Sequence, residues 1–202
     1  MGFYKGFHKV FRHPLKWLFR VKAEGLENVP EGGCILAANH TAIPDVIVIS
    51  APIKRQVRYM AKAELIRTPV VGPFMRLLGA YPVDRGGADV KSLKYTMELI
   101  EKGELIGIFP QGTRRPGVDP RETEVKGGVG LIAYHTGADV LPVFIDTKKR
   151  RTAAFRRTRV IFGPVIKNSE LGFEHGGSRE YLAAAGLIFD RICSLKDGGR
   201  EK

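Results

Sequence analysis

Cysteine, tryptophan and acid are scarce in this chain. It has 202 residues, with two cysteines, one tryptophan and 21 acidic side chains against 33 Lys and Arg. Cys34 and Cys193 both lie in apolar stretches without metal-ligand spacing. That argues against a disulfide framework or a metal site, and for buried thiols in a reducing compartment. No apolar stretch reaches the roughly 20 residues a membrane-spanning helix needs. The N-terminus lacks the uninterrupted apolar core of a signal peptide. Gly6 stands where a myristoylation site prefers Ser or Thr. No Asp or Glu precedes Glu24.

What is present is positive charge. The net charge of +12 favours a polyanionic partner: nucleic acid, an anionic membrane surface or a phosphorylated substrate. Composition does not choose among them. In residues 2–20, Phe3, Phe7, Val10, Phe11, Leu15 and Leu18 recur at helical spacing, with Pro14 kinking or restarting the helix. Lys5, Lys9, Arg12 and Lys16 fill the other face. An apolar aromatic face opposite a purely basic one suits an interfacial membrane helix. The alternative is a helix covering the domain's own core, with its lysines in water. The segment 1–19 is thus expected to associate with membrane, 20–196 to form one domain, and 197–202 to be a disordered tail.

Short apolar runs alternate with helical patterns across 20–196. Strands are expected near 20–23, 34–38, 57–61, 80–83, 105–109, 140–145 and 160–165. Helices are expected near 45–51, 88–102, 128–135 and 181–195, and two short pieces within 62–78. In 88–102, Val90, Leu93, Met97 and Ile100 share a face. This alternation implies a single-domain α/β fold with a largely parallel or mixed central sheet flanked by helices. The run Lys148-Lys149-Arg150-Arg151, with Arg156-Arg157, lies between two strands. It reads as a solvated loop that could also touch phosphates or anionic lipid.

Five segments carry chemistry. In Asn39-His40-Thr41-Ala42-Ile43-Pro44-Asp45 a histidine follows a buried strand and an aspartate stands five residues on. Imidazole moves protons near neutral pH, and a carboxylate can fix its tautomer. Positions five apart on a continuous helix sit about 140° from each other. Pro44 also disfavours helical geometry at Ile43. His40 therefore belongs on a loop and Asp45 at a helix start. No serine or cysteine nucleophile stands beside them, which suggests a base that activates a hydroxyl of the substrate. Alone, this spacing is unspecific. Arg85, in Gly79 to Gly87, can present a guanidinium to a phosphate from a glycine-flanked turn. Phe109-Pro110-Gln111-Gly112-Thr113-Arg114-Arg115 follows a second buried strand. There Gly112 permits close backbone approach, Thr113 offers a hydroxyl and Arg114 a fixed charge. Lys126 enters a glycine-rich helix start, which suits an anion. In Leu141-Pro142-Val143 the proline implies an edge strand or an interrupted ladder, and the apolar residues suit either an acyl groove or a plain core strand.

In order and spacing these segments resemble the four blocks of the glycerolipid acyltransferases, especially the 1-acyl-sn-glycerol-3-phosphate (lysophosphatidate) acyltransferases. The resemblance covers about residues 20–170. It implies that His40 deprotonates a glycerol hydroxyl while Asp45 orients it. It assigns the acceptor phosphate to Arg85, Gln111, Gly112, Thr113 and Arg114, with Lys126 a further candidate, and the acyl chain to Leu141, Pro142 and Val143. It implies acyl-CoA or acyl carrier protein as co-substrate, no metal or other cofactor, and a monotopic enzyme on the cytoplasmic face of the cell membrane. Gln111 departs from the pattern, because the family usually has glutamate there. Glutamine keeps the size and hydrogen-bonding reach but not the charge. This points to a binding or structural role at that position and leaves the acceptor open between lysophosphatidate, glycerol-3-phosphate and another lyso-lipid. A non-catalytic basic lipid- or nucleic-acid-binding protein would leave the ordered blocks unexplained, so nucleic acid is not expected.

Overall fold

The computed structural model describes residues 12–69, 71–77, 79–83 and 90–198. The strands are β1 (Val21–Glu24), β2 (Cys34–Ala38), β3 (Val57–Lys62), β4 (Tyr81–Val83), β5 (Leu105–Ile108), β6 (Val140–Thr147) and β7 (Thr158–Phe162). They form one sheet in the order β1-β7-β6-β2-β5-β3-β4. The block β6-β2-β5-β3-β4 is parallel. β7 runs antiparallel to β6, and β1 is parallel to β7. The sheet is therefore mixed, with its antiparallel pair at one side.

The helices are α1 (Asp45–Ser50), α2 (Ala63–Arg67), α3 (Val71–Leu77), α4 (Val90–Glu101), α5 (Gly128–Thr136) and α6 (Ser178–Gly198). Side chains alternate across a strand, so the wholly buried β2 serves two cores. Ile35 and Ala37 pack with Leu99 and Ile100 of α4, Ile132 and Ala133 of α5, and Ala185 and Ile188 of α6. Cys34, Leu36 and Ala38 face the other way, toward Val46, Val48 and Ile49 of α1, Ile66 of α2 and Met75 of α3. Helices thus cover both faces, and β2 lies in the middle of the sheet.

Three sequence expectations need adjustment. Pro142 does not mark an edge, since β6 lies between β2 and β7. The ladder is interrupted instead: β6–β7 pairing stops at Val143↔Phe162 and returns as a single bridge at Val140↔Ile166. The missing N–H of proline falls in that gap. On α4 the buried positions are Ser92, Thr96, Leu99 and Ile100, whereas Val90 is exposed. The hydroxyl of Thr96 donates to Ser92 O (2.7 Å) and pairs with the Tyr81 hydroxyl (2.8 Å). A satisfied hydroxyl buries at little cost, and a pattern of apolar residues alone does not register it. At the C-terminus α6 runs to Gly198, and residues 199–202 lie outside those described.

Residues 12–18 are helical. Leu15 and Leu18 pack against the second core and Phe19 is buried in it, while Trp17 points outward. The first turns of the expected amphipathic segment, with Phe3, Phe7, Val10, Phe11, Lys5 and Lys9, lie outside the described residues.

Candidate active site

The site lies at the carboxyl ends of β2 and β5, where open α/β sheets hold ligands. Asp45 opens α1 and is fully buried. Its Oδ2 lies 2.8 Å from His40 Nδ1 and accepts the backbone N–H groups of Thr41 (2.5 Å) and Ala42 (2.8 Å). Its Oδ1 accepts the Thr41 hydroxyl at 3.0 Å. A carboxylate only accepts, so Nδ1 carries the imidazole proton and Nε2 keeps its lone pair. Among the described residues nothing hydrogen-bonds Nε2.

The rest of His40 is fixed by residues distant in sequence. Its N–H donates to Gln111 Oε1 (2.6 Å), and its carbonyl accepts from Arg115 N (2.9 Å). Its ring stacks on Phe109, with centroids 3.9 Å apart and planes 14° from parallel. Phe109 in turn stacks toward Tyr59 at 6.1 Å. Gly107 makes room for Tyr59, because a Cβ there would fall 2.3 Å from its ring. Asn39 pins the end of β2 to β6: its Nδ2 donates to Ile145 O (3.1 Å) and its Oδ1 accepts Ile145 N (2.7 Å). The hydroxyl of Thr41 meets that of Thr152 at 3.1 Å and accepts Thr152 N, which ties the histidine loop to the β6–β7 connection.

The structure brings His40, Asp45 and Gln111 together. Gln111 is 2% exposed. Its Nε2 donates to the Thr123 hydroxyl (2.7 Å), and that hydroxyl donates to Pro120 O (2.7 Å). The carboxamide faces inward and supports the His40 backbone. Gly112 has φ +66°, in the region glycine tolerates, and a Cβ there would come 2.9 Å from Lys126 Cδ. Gly112 and Lys126 are therefore neighbours, and Lys126 N also donates to Pro110 O (2.8 Å). Thr113, Arg114 and Lys126 are exposed on this loop cluster. Arg85 lies outside the described residues.

Leu141 and Val143 are fully buried within the second core, and Pro142 is buried beside them. They offer no surface to an acyl chain, so of the two sequence readings the core strand describes their placement. The reason is topological: β6 is covered on both sides, a fact about strand order that a local pattern does not contain. The sequence places Phe109 at the head of the third segment but gives it no role. Thr123 follows that segment without a signal of its own, and nothing in the sequence marks Thr152.

Neither cysteine serves as a nucleophile. Burial pushes the Cys34 thiol up to about 12 and the Cys193 thiol up to about 11, and an inert thiol is not a nucleophile. A cavity of about 820 Å³ lies at the opposite ends of the strands, lined in part by Val29, Pro52, Ile53, Arg55 and Glu104. Arg55 there donates to the carbonyls of Pro30, Gly32 and Gly103. Its fork staples three loops, remote from His40.

The acyltransferase family model matches residues 20–146, which include His40, Asp45, Phe109, Gln111 and Arg115. The chain belongs to the acyltransferase family. The acyltransferase is 32% identical over 168 residues to the 1-acyl-sn-glycerol-3-phosphate acyltransferase of Bacillus subtilis (strain 168), covering 81% of each chain. It is 33% identical over 136 residues to the enzyme of that name from Borreliella burgdorferi, covering 63% of this chain and 52% of that one. With the chloroplastic enzyme BAT2 of Brassica napus the identity is 31%, over only 37% of the relative's length. In fold it resembles the crystal structure of the 1-acyl-sn-glycerophosphate acyltransferase PlsC of Thermotoga maritima, with a TM-score of 0.69 over 98% of this chain and 80% of that one, at 23% identity. Among the described residues no helix of the acyltransferase is long and apolar enough to cross a membrane.

Proposed function

We propose that this acyltransferase moves an acyl chain from an acyl thioester to the sn-2 hydroxyl of 1-acyl-sn-glycerol-3-phosphate, giving phosphatidic acid for phospholipid biosynthesis. One observation carries the mechanism: an imidazole fixed by Asp45 and Phe109 on a backbone held by Gln111 and Arg115, with only Nε2 left for a substrate. His40 Nε2 takes the proton of the acceptor hydroxyl as its oxygen attacks the thioester carbonyl. The tetrahedral intermediate collapses and expels the thiolate, a good leaving group, which recovers the proton from the imidazolium. No acyl-enzyme forms, consistent with the inert thiols. A positioned base contributes about 10² to 10⁴-fold, and holding the two substrates together contributes more.

Arg114 and Lys126, exposed beside His40's loop, are suited to the acceptor phosphate, and Arg85 is assigned there from its place in the sequence. The donor is acyl-CoA or acyl carrier protein. The enzyme acts from the cytoplasmic face of the membrane, held there by the basic, aromatic N-terminal segment. The names of the relatives support lysophosphatidate as acceptor. The test is thiol release from acyl-CoA, with lysophosphatidate and glycerol-3-phosphate offered separately. Release is expected with the lyso-lipid, and it falls at least about 10²-fold in His40→Ala at unchanged melting temperature. Wild-type rate in His40→Ala overturns the mechanism, and release with glycerol-3-phosphate alone overturns the acceptor.

A further inference from the structure

Trp17 and Phe155 lie far apart in the sequence and meet edge to face, with ring centroids 6.0 Å apart. Both are strongly exposed, Trp17 at 73% and Phe155 at 64%. Large apolar rings in water are unfavourable unless something covers them. The backbone is built to hold them there. Phe155 has φ +59°, a strained value for a bulky side chain, and its N–H donates to Leu18 O at 2.6 Å. All four described non-glycine residues with positive φ, Arg20, Lys149, Arg150 and Phe155, fall in the two segments that make this contact. Such strain persists only where surrounding structure enforces it, and it is concentrated at functional sites.

The surroundings are cationic. Residues 12–20 and 147–157 hold nine Lys or Arg and no Asp or Glu. Asp119 reaches in to pair with Arg150. Among the described residues Lys148, Lys149, Arg151 and Arg157 are exposed without an acidic partner. Aromatic rings within a field of one sign suit the headgroup region of an anionic bilayer.

Topology places this patch beside the chemistry. β1 and β7 start at the end of the sheet where β2 and β6 finish. Thr152 bonds Thr41, next to His40, and three residues later Phe155 bonds the N-terminal helix. Ile43, in the His40–Asp45 loop and 61% exposed, stands at the same end.

We infer that the β6–β7 connection is a second membrane-docking element, which inserts Phe155 together with Trp17 into an anionic lipid surface and turns the His40 opening toward it. The inference rests on the proposed lipid acceptor for its purpose, but its test does not involve turnover. Trp17 is the single tryptophan of the chain, so its emission reports on this patch alone. With phosphatidylglycerol vesicles the emission should shift to the blue and be quenched by brominated acyl chains. Phosphatidylcholine vesicles should do much less. Phe155→Gly suits the positive φ, so it should melt like the wild type while its vesicle affinity falls about tenfold. The double variant Arg156→Glu/Arg157→Glu keeps both rings and should lose selectivity for anionic vesicles. An unmoved Trp17 emission on anionic vesicles, or undiminished vesicle affinity in both variants, overturns the inference. So does a Trp17 shift with an acidic acyl carrier protein but not with vesicles. Absence of thiol release by the wild type would instead count against the proposed function, whatever Trp17 does.

Discussion

Gln111 shows how a single residue changes meaning once its neighbours are known. In the sequence it is a neutral substitute for an expected acid in a block tied to the acceptor. In the structure its carbonyl oxygen takes the His40 N–H, and its amide group faces a hydroxyl already committed to Pro120 O. Gln111→Leu should therefore leave the buried His40 N–H without its acceptor, at about 1–3 kcal/mol. A melting temperature lower by several degrees and a fall in kcat at nearly constant acceptor KM are the expected readings. Gln111→Glu still accepts from His40 N, and the Thr123 hydroxyl can turn to donate to it. Its acceptor profile should match the wild type in the substrate panel, and a switched acceptor would show that position 111 touches substrate.

At the scale of elements, the site depends on how closely β3 and β5 approach beneath it. Gly107 pairs with Leu36 on one side and Tyr59 on the other. The Tyr59 ring occupies the space a side chain at 107 would need, and its hydroxyl meets Ser50 Oγ at 3.0 Å. Through Phe109 the same stack reaches the imidazole. Gly107→Ala should force the Tyr59 ring aside, destabilising the protein by about 1–3 kcal/mol. Thermal unfolding checks this, with about 2–4 °C expected per kcal/mol in a domain of this size. Activity should fall by more than the loss of folded protein, because the displaced ring supports Phe109. An alanine variant with unchanged melting temperature and rate would show that the stack does not position His40.

For the whole molecule, charge and topology act together. The excess of 33 basic over 21 acidic residues is general, but the cations of residues 12–20 and 147–157 gather at the end of the sheet that carries His40. Attraction to an anionic surface is screened over about 10 Å at 0.1 M salt. Sedimentation with phosphatidylglycerol vesicles should therefore weaken steeply between low and high NaCl. A residual, salt-resistant fraction should reflect the inserted aromatic rings. Binding wholly independent of salt would show that charge has no part in docking.

The sequence by itself determined the local features. Cys34 to Ala38 is apolar enough to form only a buried strand, Pro44 forces a turn, and Asp45 lies within reach of His40 because five residues and a turn separate them. The alternation of strands and helices also follows from short-range pattern, and with it the α/β class. Tertiary structure decided what depends on strand order. His40 is held by Gln111 and Arg115, some seventy residues away, only because β5 lies beside β2. Leu141 and Val143 are sealed into the core because β6 has neighbours on both sides. Trp17 meets Phe155 because β1 pairs with β7, which brings the N-terminal helix against the β6–β7 connection. A side chain's identity fixes which interactions it can make, and the chain's path through the sheet fixes which partner it finds.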